Sequence, residues 1–260
     1  MIGGWDHSPI IFCMMNKIYE VNYAGFPVRY SFIYPKTRYL FKRYIKPSYS
    51  ENYDIRSTEE RIERARKLLP EDSEDAYIEY RTLIALTARE LLKYRYCIFH
   101  CASFVYRGYA WLLTAPSGTG KTTQYFNWMK LFPDEIKMIS GDMPVLCLND
   151  SSVITVNPSS WNGKEDIGNQ ISAELGGIIY LEQGDKNMIS PLSARDGLID
   201  IYRQFIVLPD TEEEIISLAK IIDCMFRRYP VMKYVNQGDE QSTELLRSSI
   251  NHILEEKHGS

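Results

Sequence analysis

The sequence predicts an α/β fold in which a mixed sheet is flanked by helices and preceded by a small N-terminal appendage of strands and helices. Its 260 residues are 45% hydrophobic and 25% charged, the composition of a globular chain with a substantial core. From about residue 95, short β-type runs alternate with helical patterns, which indicates an α/β core. One glycine-rich segment stands between such a run and a helical pattern. We therefore predict an appendage over residues 1–94 and the main domain over 95–260.

In the appendage, short β-type runs surround the turn at Gly25 and indicate a small antiparallel unit; they cover residues 10–14, 18–23 and 28–33. Basic and aromatic side chains interleave over residues 36–46. Such a pattern can grip a phosphate backbone or an acidic peptide, but a solvated strand edge fits the acidic chain better. A capping box at Ser57 predicts a helix to about Leu69, and a second helix is predicted over 73–93.

The main domain is predicted from the period of its apolar residues. The strands are expected at residues 98–105, 109–113, 136–139, 145–148, 153–156, 177–182, 188–189 and 231–234. The helices are expected at residues 122–131, 193–205, 211–226 and 242–256. So many short strands after residue 136 predict a mixed sheet rather than a purely parallel one.

Residues 115–122, Ala-Pro-Ser-Gly-Thr-Gly-Lys-Thr, match the Walker A pattern of a phosphate-binding loop (P-loop), with Ala115 where the first glycine usually stands. Gly118 and Gly120 allow backbone N–H groups to turn inward around a phosphate, and the following helix adds its positive N-terminus. Lys121 can reach the β- and γ-phosphates, and the Thr122 hydroxyl can bind Mg²⁺. Because the match lies between a predicted strand and a predicted helix, we favour a P-loop over an ordinary glycine-rich turn.

Such a loop needs an acid at the end of a neighbouring strand, to hold the metal or to take a proton. Asp142 follows a short apolar run about twenty residues downstream and fits this role, although an aspartate in an ordinary turn is the alternative. After Gly163, Lys164 and Glu165 stand together. Lys164 could neutralise a transferring phosphoryl group, and Glu165 could bind metal or act as a base; a solvated charged turn explains them equally well.

Together these segments resemble the superfamily of HPr kinase/phosphorylase and phosphoenolpyruvate carboxykinase, and more closely its small bacterial members. The resemblance covers residues 95–206, while the remainder matches only in element order. It rests on six ordered segments: Phe99-His100, residues 114–123, Trp128, Ser140-Gly-Asp-Met-Pro144, Trp161-Asn-Gly-Lys-Glu165 and the strand at 178–182.

The resemblance implies a kinase that uses ATP and Mg²⁺ to phosphorylate a hydroxyl, expected to be a serine, of a protein, a peptide or a small molecule such as serine. The implied phosphate-binding residues are Ser117, Gly118, Thr119, Gly120, Lys121, Thr122 and Thr123. Thr122 and Asp142 are expected to hold Mg²⁺. The expected catalytic residues are Asp142, His100, Lys164 and Glu165, with His100 beside the transferred phosphate.

The chain departs from the family at Gly141, because the core members carry two adjacent acids where only Asp142 remains here. Either Asp142 performs both roles, or Glu165 or His100 is the base. A nucleotide-binding regulatory module with weak catalysis, or a peptide-binding one, is therefore the alternative. Decarboxylation is not expected, since carboxykinases are about twice as long.

The charge balance and the cysteines exclude other classes. Thirty basic and 34 acidic residues give a net charge of −4, which argues against nucleic-acid binding. No membrane-spanning or signal segment is recognised, and five cysteines without a CxxC pair suggest reduced thiols in the cytoplasm. Cys97, His100 and Cys101 are spaced poorly for a shared metal on an extended strand. The oligomeric state is open, and a homo-oligomer is compatible with the sequence.

Overall fold

The computed structural model describes residues 18–49, 52, 54–163, 165–207 and 209–259. These ranges contain thirteen strands and seven helices, which confirms the mixed α/β class. Contacts between Cα atoms divide the chain into two units, Met1–Thr87 and Ala88–Ser260, and the boundary falls within one helix.

The first unit carries a four-stranded sheet in the order β3-β1-β2-β4. Its strands are β1 (Ile18–Tyr23), β2 (Phe26–Ser31), β3 (Ile45–Pro47) and β4 (Ile55–Arg56), and its helices are α1 (Pro35–Leu40), α2 (Glu59–Arg66) and the start of α3 (Asp75–Leu92). β1 and β2 form the predicted antiparallel pair, turning at Gly25, whose φ is +91°. The strand predicted at residues 10–14 lies outside the described residues.

The basic segment of the first unit differs from the prediction. A strand edge was expected over residues 36–46, but the chain forms α1 and only then β3. Pro35 stands at the start of the helix, where its fixed φ favours the first turn. The predicted cap of α2 also moves by one residue: Thr58, not Ser57, accepts the N–H of Arg61.

A buried carboxylate organises the core of the first unit. Glu79 is fully buried on α3 and accepts the backbone N–H groups of Ile33 (2.6 Å) and Tyr34 (2.9 Å) and the Ser57 hydroxyl. These three donors satisfy the carboxyl oxygens where water cannot reach them. Ser57 therefore links the start of α2 to α3 instead of capping a helix.

The second unit carries a nine-stranded mixed sheet. Its strands are β5 (Tyr96–Ile98), β6 (Ala102–Tyr106), β7 (Tyr109–Thr114), β8 (Ile136–Ser140), β9 (Val145–Leu148), β10 (Ile154–Asn157), β11 (Ala173–Gln183), β12 (Met188–Pro191) and β13 (Val231–Asn236). Its helices are α4 (Lys121–Leu131), α5 (Ala194–Tyr202), α6 (Glu212–Arg228) and α7 (Glu240–Gly259), besides the end of α3.

The order β5-β9-β10-β11-β7-β6-β8 runs across this sheet. β10 pairs with the start of β11, and β13 pairs with its later residues, 178–183, on the edge opposite β7. β11 is parallel to β7 and β13, whereas the other pairs are antiparallel, so the predicted mixed sheet is confirmed. The carboxyl ends of β7, β11 and β13 therefore meet at one edge.

The single strand predicted at residues 98–105 is wrong. The chain forms β5, which pairs with β9, and then β6, which pairs with β7 and β8. Between them, His100 N donates to Gln204 O (2.8 Å) and Cys101 N to Asp142 O (2.8 Å). The sequence is apolar on both sides of His100, and no glycine or proline marks the point where the chain leaves β5 and enters β6.

Helices cover both faces of the sheet. Alternate residues of β11 point to opposite sides: Ile178 packs in the cluster that contains α6, and Ile179 in the cluster that contains α4 and α7. Within the described residues, no helix combines the length and the apolar character needed to cross a bilayer.

Candidate functional site

The glycine-rich loop lies between β7 and α4, the strand–loop–helix context that the sequence predicts, and α4 begins one residue early at Lys121. Gly118 and Gly120 have φ angles of +82° and +109°, which L side chains rarely adopt. A Cβ at either glycine would meet no atom within 4 Å, so both border open space. Gly120 is the N-cap and provides no side-chain cap, which leaves first-turn N–H groups available to a ligand.

The Lys121 side chain lies inside the loop and donates to main-chain oxygens at its start. Its side chain is only 8% exposed, and its Nζ donates to Ala115 O at 2.9 Å and Pro116 O at 3.4 Å. Burial lowers the pKa of this ammonium, and the negative charge of Asp142 partly offsets that effect. The charge is thus held close to the loop and near the candidate acid.

Asp142 follows β8, and its main chain is fixed by the bond from Cys101 N described above. Its Oδ1 lies 3.4 Å from His100 Nε2, and both side chains are partly exposed, at 27% and 19%. The crossing between β5 and β6 therefore brings His100 to the acid. The structure does place together the two residues that the sequence separates by 42 positions.

The loop after β10 packs over Gly141, the residue that precedes Asp142. Gly141 N donates to Ile167 O (2.8 Å), and Met143 N donates to Trp161 O (3.1 Å). A Cβ at Gly141 would lie 3.1 Å from Ile167 O and 3.2 Å from Asn162 O. Both obstacles are main-chain atoms, so a side chain at this position requires the loop to shift by a few tenths of an ångström.

These elements enclose a cavity of about 420 Å³. It is lined by His100, Ser117, Gly118, Gly120, Lys121, Thr122, Thr123, Gly141, Asp142, Gly163 and Glu165. Nine of the predicted site residues are thus on one cavity. Thr119 borders a second cavity instead, and Lys164 lies outside the described residues.

The second cavity, of about 410 Å³, adjoins the other side of the loop. It shares Thr119, Gly120 and Thr123 with the loop and is otherwise lined by Gln183, Gly184, Asn236, Gln237 and Gly238. These last five residues were not predicted from the sequence. They lie at the carboxyl ends of β11, which is parallel to β7 and next to it, and of β13, which is next to β11. A polar residue and a glycine at the end of each strand were the available signal.

Buried amides fix the wall of the second cavity. Gln124 on α4 donates to Asn236 Oδ1 (3.1 Å) and Ser242 Oγ (2.8 Å), and it accepts from Thr243 Oγ1 (3.0 Å). Asn236 Oδ1 also accepts Gly238 N (2.9 Å). This network ties the helix after the glycine-rich loop to the end of β13.

The described residues contain no cluster of three or more His, Cys, Asp or Glu side chains arranged to hold a metal ion. Cys97 and Cys101 are both fully buried, and burial raises the pKa of both thiols, so they are poor ligands. A divalent cation here would need oxygen ligands. Thr122 and Asp142 offer a hydroxyl and a carboxylate, the types that Mg²⁺ binds together with substrate phosphates.

No protein-family model and no curated protein matches the chain. Among solved structures, it is similar to the HPr(Ser) kinase/phosphatase from Coxiella burnetii, with 11% sequence identity and a TM-score of 0.35. The similarity covers 62% of this chain and 98% of the other. At so low a TM-score, the similarity does not bear on what this chain binds.

Proposed function

We propose that the protein is a phosphotransferase that uses ATP and Mg²⁺ to phosphorylate a hydroxyl group. The observation that carries this proposal is the shared cavity, in which a glycine-rich loop, a buried ammonium, a carboxylate and an imidazole meet. Lys121 supplies the positive charge, while Asp142 and His100 lie 3.4 Å apart on the same cavity. Phosphoryl transfer needs little covalent chemistry from a protein and depends on such positioned charges.

The residues present fit a triphosphate with its metal. Gly118 and Gly120 leave open space beside the backbone, and the uncapped start of α4 favours an anion. Ser117 to Thr123 would bind the phosphates, and Thr122 with Asp142 would hold Mg²⁺. The metal, when bound, neutralises charge that develops on the phosphate oxygens.

The second cavity supports a nucleoside triphosphate over a simple phosphate. It opens on the same loop through Thr119, Gly120 and Thr123, and its volume of about 410 Å³ is within the range of small-molecule sites. We assign the nucleoside end of ATP to this cavity. The buried network around Gln124 keeps its wall fixed relative to α4.

The acceptor hydroxyl would enter beside His100, Asp142 and Glu165, which line the first cavity together with the loop. Its oxygen forms a bond to the γ-phosphorus while the bond from that phosphorus to the β,γ-bridging oxygen breaks, which leaves ADP. The hydroxyl proton passes to one of these three side chains. We propose a serine hydroxyl of a protein, peptide or small molecule as the acceptor, and Lys164 remains a predicted partner of the transferred group.

A nucleotide-binding regulatory module with weak catalysis is the second candidate. The close packing of Gly141 favours it, because the site has one acid where the resembling family has two. Such a module would bind ATP through the same loop and hydrolyse it slowly without an acceptor.

We also propose that the protein acts in the cytoplasm. The four cysteines in the described ranges, Cys97, Cys101, Cys147 and Cys224, are all free thiols. Free thiols are typical of reducing compartments.

Incubation with γ-labelled ATP and Mg²⁺ in a host lysate that retains metabolites and peptides tests the function. We expect label on one discrete acceptor with the wild type and none with Lys121→Ala. Lys130→Ala, an exposed lysine on the same helix, is the matched control and should label normally. Binding of ATP without any labelled acceptor would favour the regulatory module, and absence of ATP binding would overturn both candidates.

A further inference from the structure

His100 has a second polar neighbour that the sequence analysis did not identify. Its Nδ1 lies 3.1 Å from Oε1 of Gln204, which follows α5. The Gln204 Nε2 donates to Asp200 O at 3.2 Å. Because a carbonyl oxygen can only accept, the amide nitrogen must face Asp200, and the amide oxygen must therefore face the imidazole.

This orientation decides which ring nitrogen carries the proton in neutral His100. The amide oxygen accepts only, so a hydrogen bond to it requires a proton on Nδ1. Nε2 then carries the lone pair and faces Asp142 Oδ1 and the cavity. In the opposite tautomer, the Nδ1 lone pair would face Gln204 Oε1, another acceptor, at 3.1 Å. In the tautomer with the proton on Nδ1, the Nε2 lone pair faces Asp142 Oδ1 at the longer distance of 3.4 Å.

The surrounding chain holds this pair in place. Gln204 is only 5% exposed, and its backbone O accepts His100 N at 2.8 Å. Thr114 Oγ1 donates to His100 O, also at 2.8 Å. The neighbouring rings of Phe99 and Phe205 meet edge to face, with centroids 4.9 Å apart. Main chain, side chain and aromatic packing thus hold Gln204 against His100.

We propose that Gln204 is a positioning residue that holds neutral His100 in the Nδ1–H tautomer and directs the Nε2 lone pair into the cavity. Gln204 acts through His100 and does not itself line the cavity. Holding the tautomer of a base through its other nitrogen is how a neighbouring group prepares a histidine for proton transfer.

The catalytic consequence rests on the proposed phosphotransferase function. With its lone pair on Nε2, His100 can accept the proton of the acceptor hydroxyl as the oxygen attacks phosphorus. The resulting imidazolium donates from Nδ1 to Gln204 and from Nε2 to Asp142. Gln204 thus leaves Nε2, the ring nitrogen on the side of Asp142, as the proton acceptor of His100.

Nitrogen-15 NMR of the imidazole rings tests the tautomer without any activity. The chain has only four histidines, so His100→Gln identifies the His100 signals by their loss. At a pH where His100 is neutral, the wild type should show a protonated Nδ1 and an unprotonated Nε2. Free neutral histidine favours Nε2–H, so that pattern in the wild type would overturn the proposal even if no variant folds.

Two variants distinguish the hydrogen bond that Gln204 accepts from the packing of its side chain. Gln204→Leu removes the acceptor and should shift neutral His100 toward Nε2–H, whereas Gln204→Glu keeps an oxygen there and should keep a proton on Nδ1. Gln241→Leu, an exposed glutamine on α7, is the control and should leave the spectrum unchanged. An unchanged tautomer in folded Gln204→Leu would contradict the proposal.

Kinetics provide the second readout. Gln204→Leu should lower kcat about 10- to 100-fold, a part of what general base catalysis supplies, with KM for ATP unchanged. A raised KM with unchanged kcat would overturn the role in proton transfer. If the tautomer is as expected but no acceptor is ever labelled, the positioning stands and the phosphotransferase function fails.

Discussion

Beside Asp142, the main chain at Gly141 is packed against the loop that covers it. Its N–H is used by Ile167 O, and its Cα faces two carbonyl oxygens of the same loop. Gly163, with φ +74°, makes the corresponding approach from the loop, where a Cβ would lie 3.1 Å from the Cβ of Asp142. A second acid at residue 141 would therefore have to displace the main chain of this loop.

We expect Gly141→Ala and Gly141→Asp to lower both stability and nucleotide affinity. The added Cβ must displace main-chain oxygens, and overpacking of this kind costs about 1–3 kcal/mol. Denaturant unfolding and an ATP titration measure the two effects. Gly108→Asn is the control, because it lies in a turn between β6 and β7 with open space around its Cα. It should leave ATP affinity unchanged, and its only cost in stability should be the strain of its φ of +81°. A more active Gly141→Asp would show that the loop yields easily and would contradict this account.

At the scale of the element, the start of α6 depends on a buried carboxylate. Thr211 accepts Glu214 N (3.3 Å), and Glu214 accepts Asp210 N (2.9 Å) and Arg89 Nη2 (3.1 Å). Burial alone would raise the pKa of Glu214, but the hydrogen bonds from Asp210 N–H and Arg89 outweigh it, so the net shift is downward. Its side chain is 3% exposed, so the ionised form is stabilised by these partners and not by water.

In Glu214→Gln, the free energy of unfolding should fall less steeply between pH 7 and pH 3 than it does in the wild type. A lowered pKa means that the stabilisation is fully present above the unfolded value, about 4.3, and is lost as pH falls through the folded value. The variant should be less stable at pH 7 by about 1–3 kcal/mol. Urea unfolding between pH 7 and pH 3 checks this, with the exposed neighbour Glu213→Gln as control. If the free energy of unfolding depends on pH equally in the wild type and in Glu214→Gln, the proposed role of this carboxylate is refuted.

The elements also differ in how far sequence alone could predict them. The β7–loop–α4 segment has strong local signals, glycines and a helical period, and its bounds agree within one residue. The break between β5 and β6 at His100 has no local signal, because both strands are apolar and differ only in the strands with which they pair. Gln204 meets His100 from 104 positions away, which no local pattern encodes.

At the scale of the whole molecule, every described residue of the candidate site belongs to the unit Ala88–Ser260. β7, β11 and β13 end at the same edge of its sheet, and the glycine-rich loop stands there between two cavities. A ligand that binds only the folded state stabilises it by about 2.7 kcal/mol at a concentration one hundred times its Kd. ATP with Mg²⁺ should therefore slow local opening in this unit.

Amide hydrogen exchange with and without ATP and Mg²⁺ tests the central claim, that this loop binds a nucleoside triphosphate. Phosphate oxygens would accept N–H groups of residues 117–123, so exchange there should slow, together with residues 140–142 and 236–238. Lys121→Ala should lose this protection, and Lys130→Ala should keep it. Unchanged exchange over residues 117–123 at high ATP, or protection confined to residues 18–87, would contradict the account.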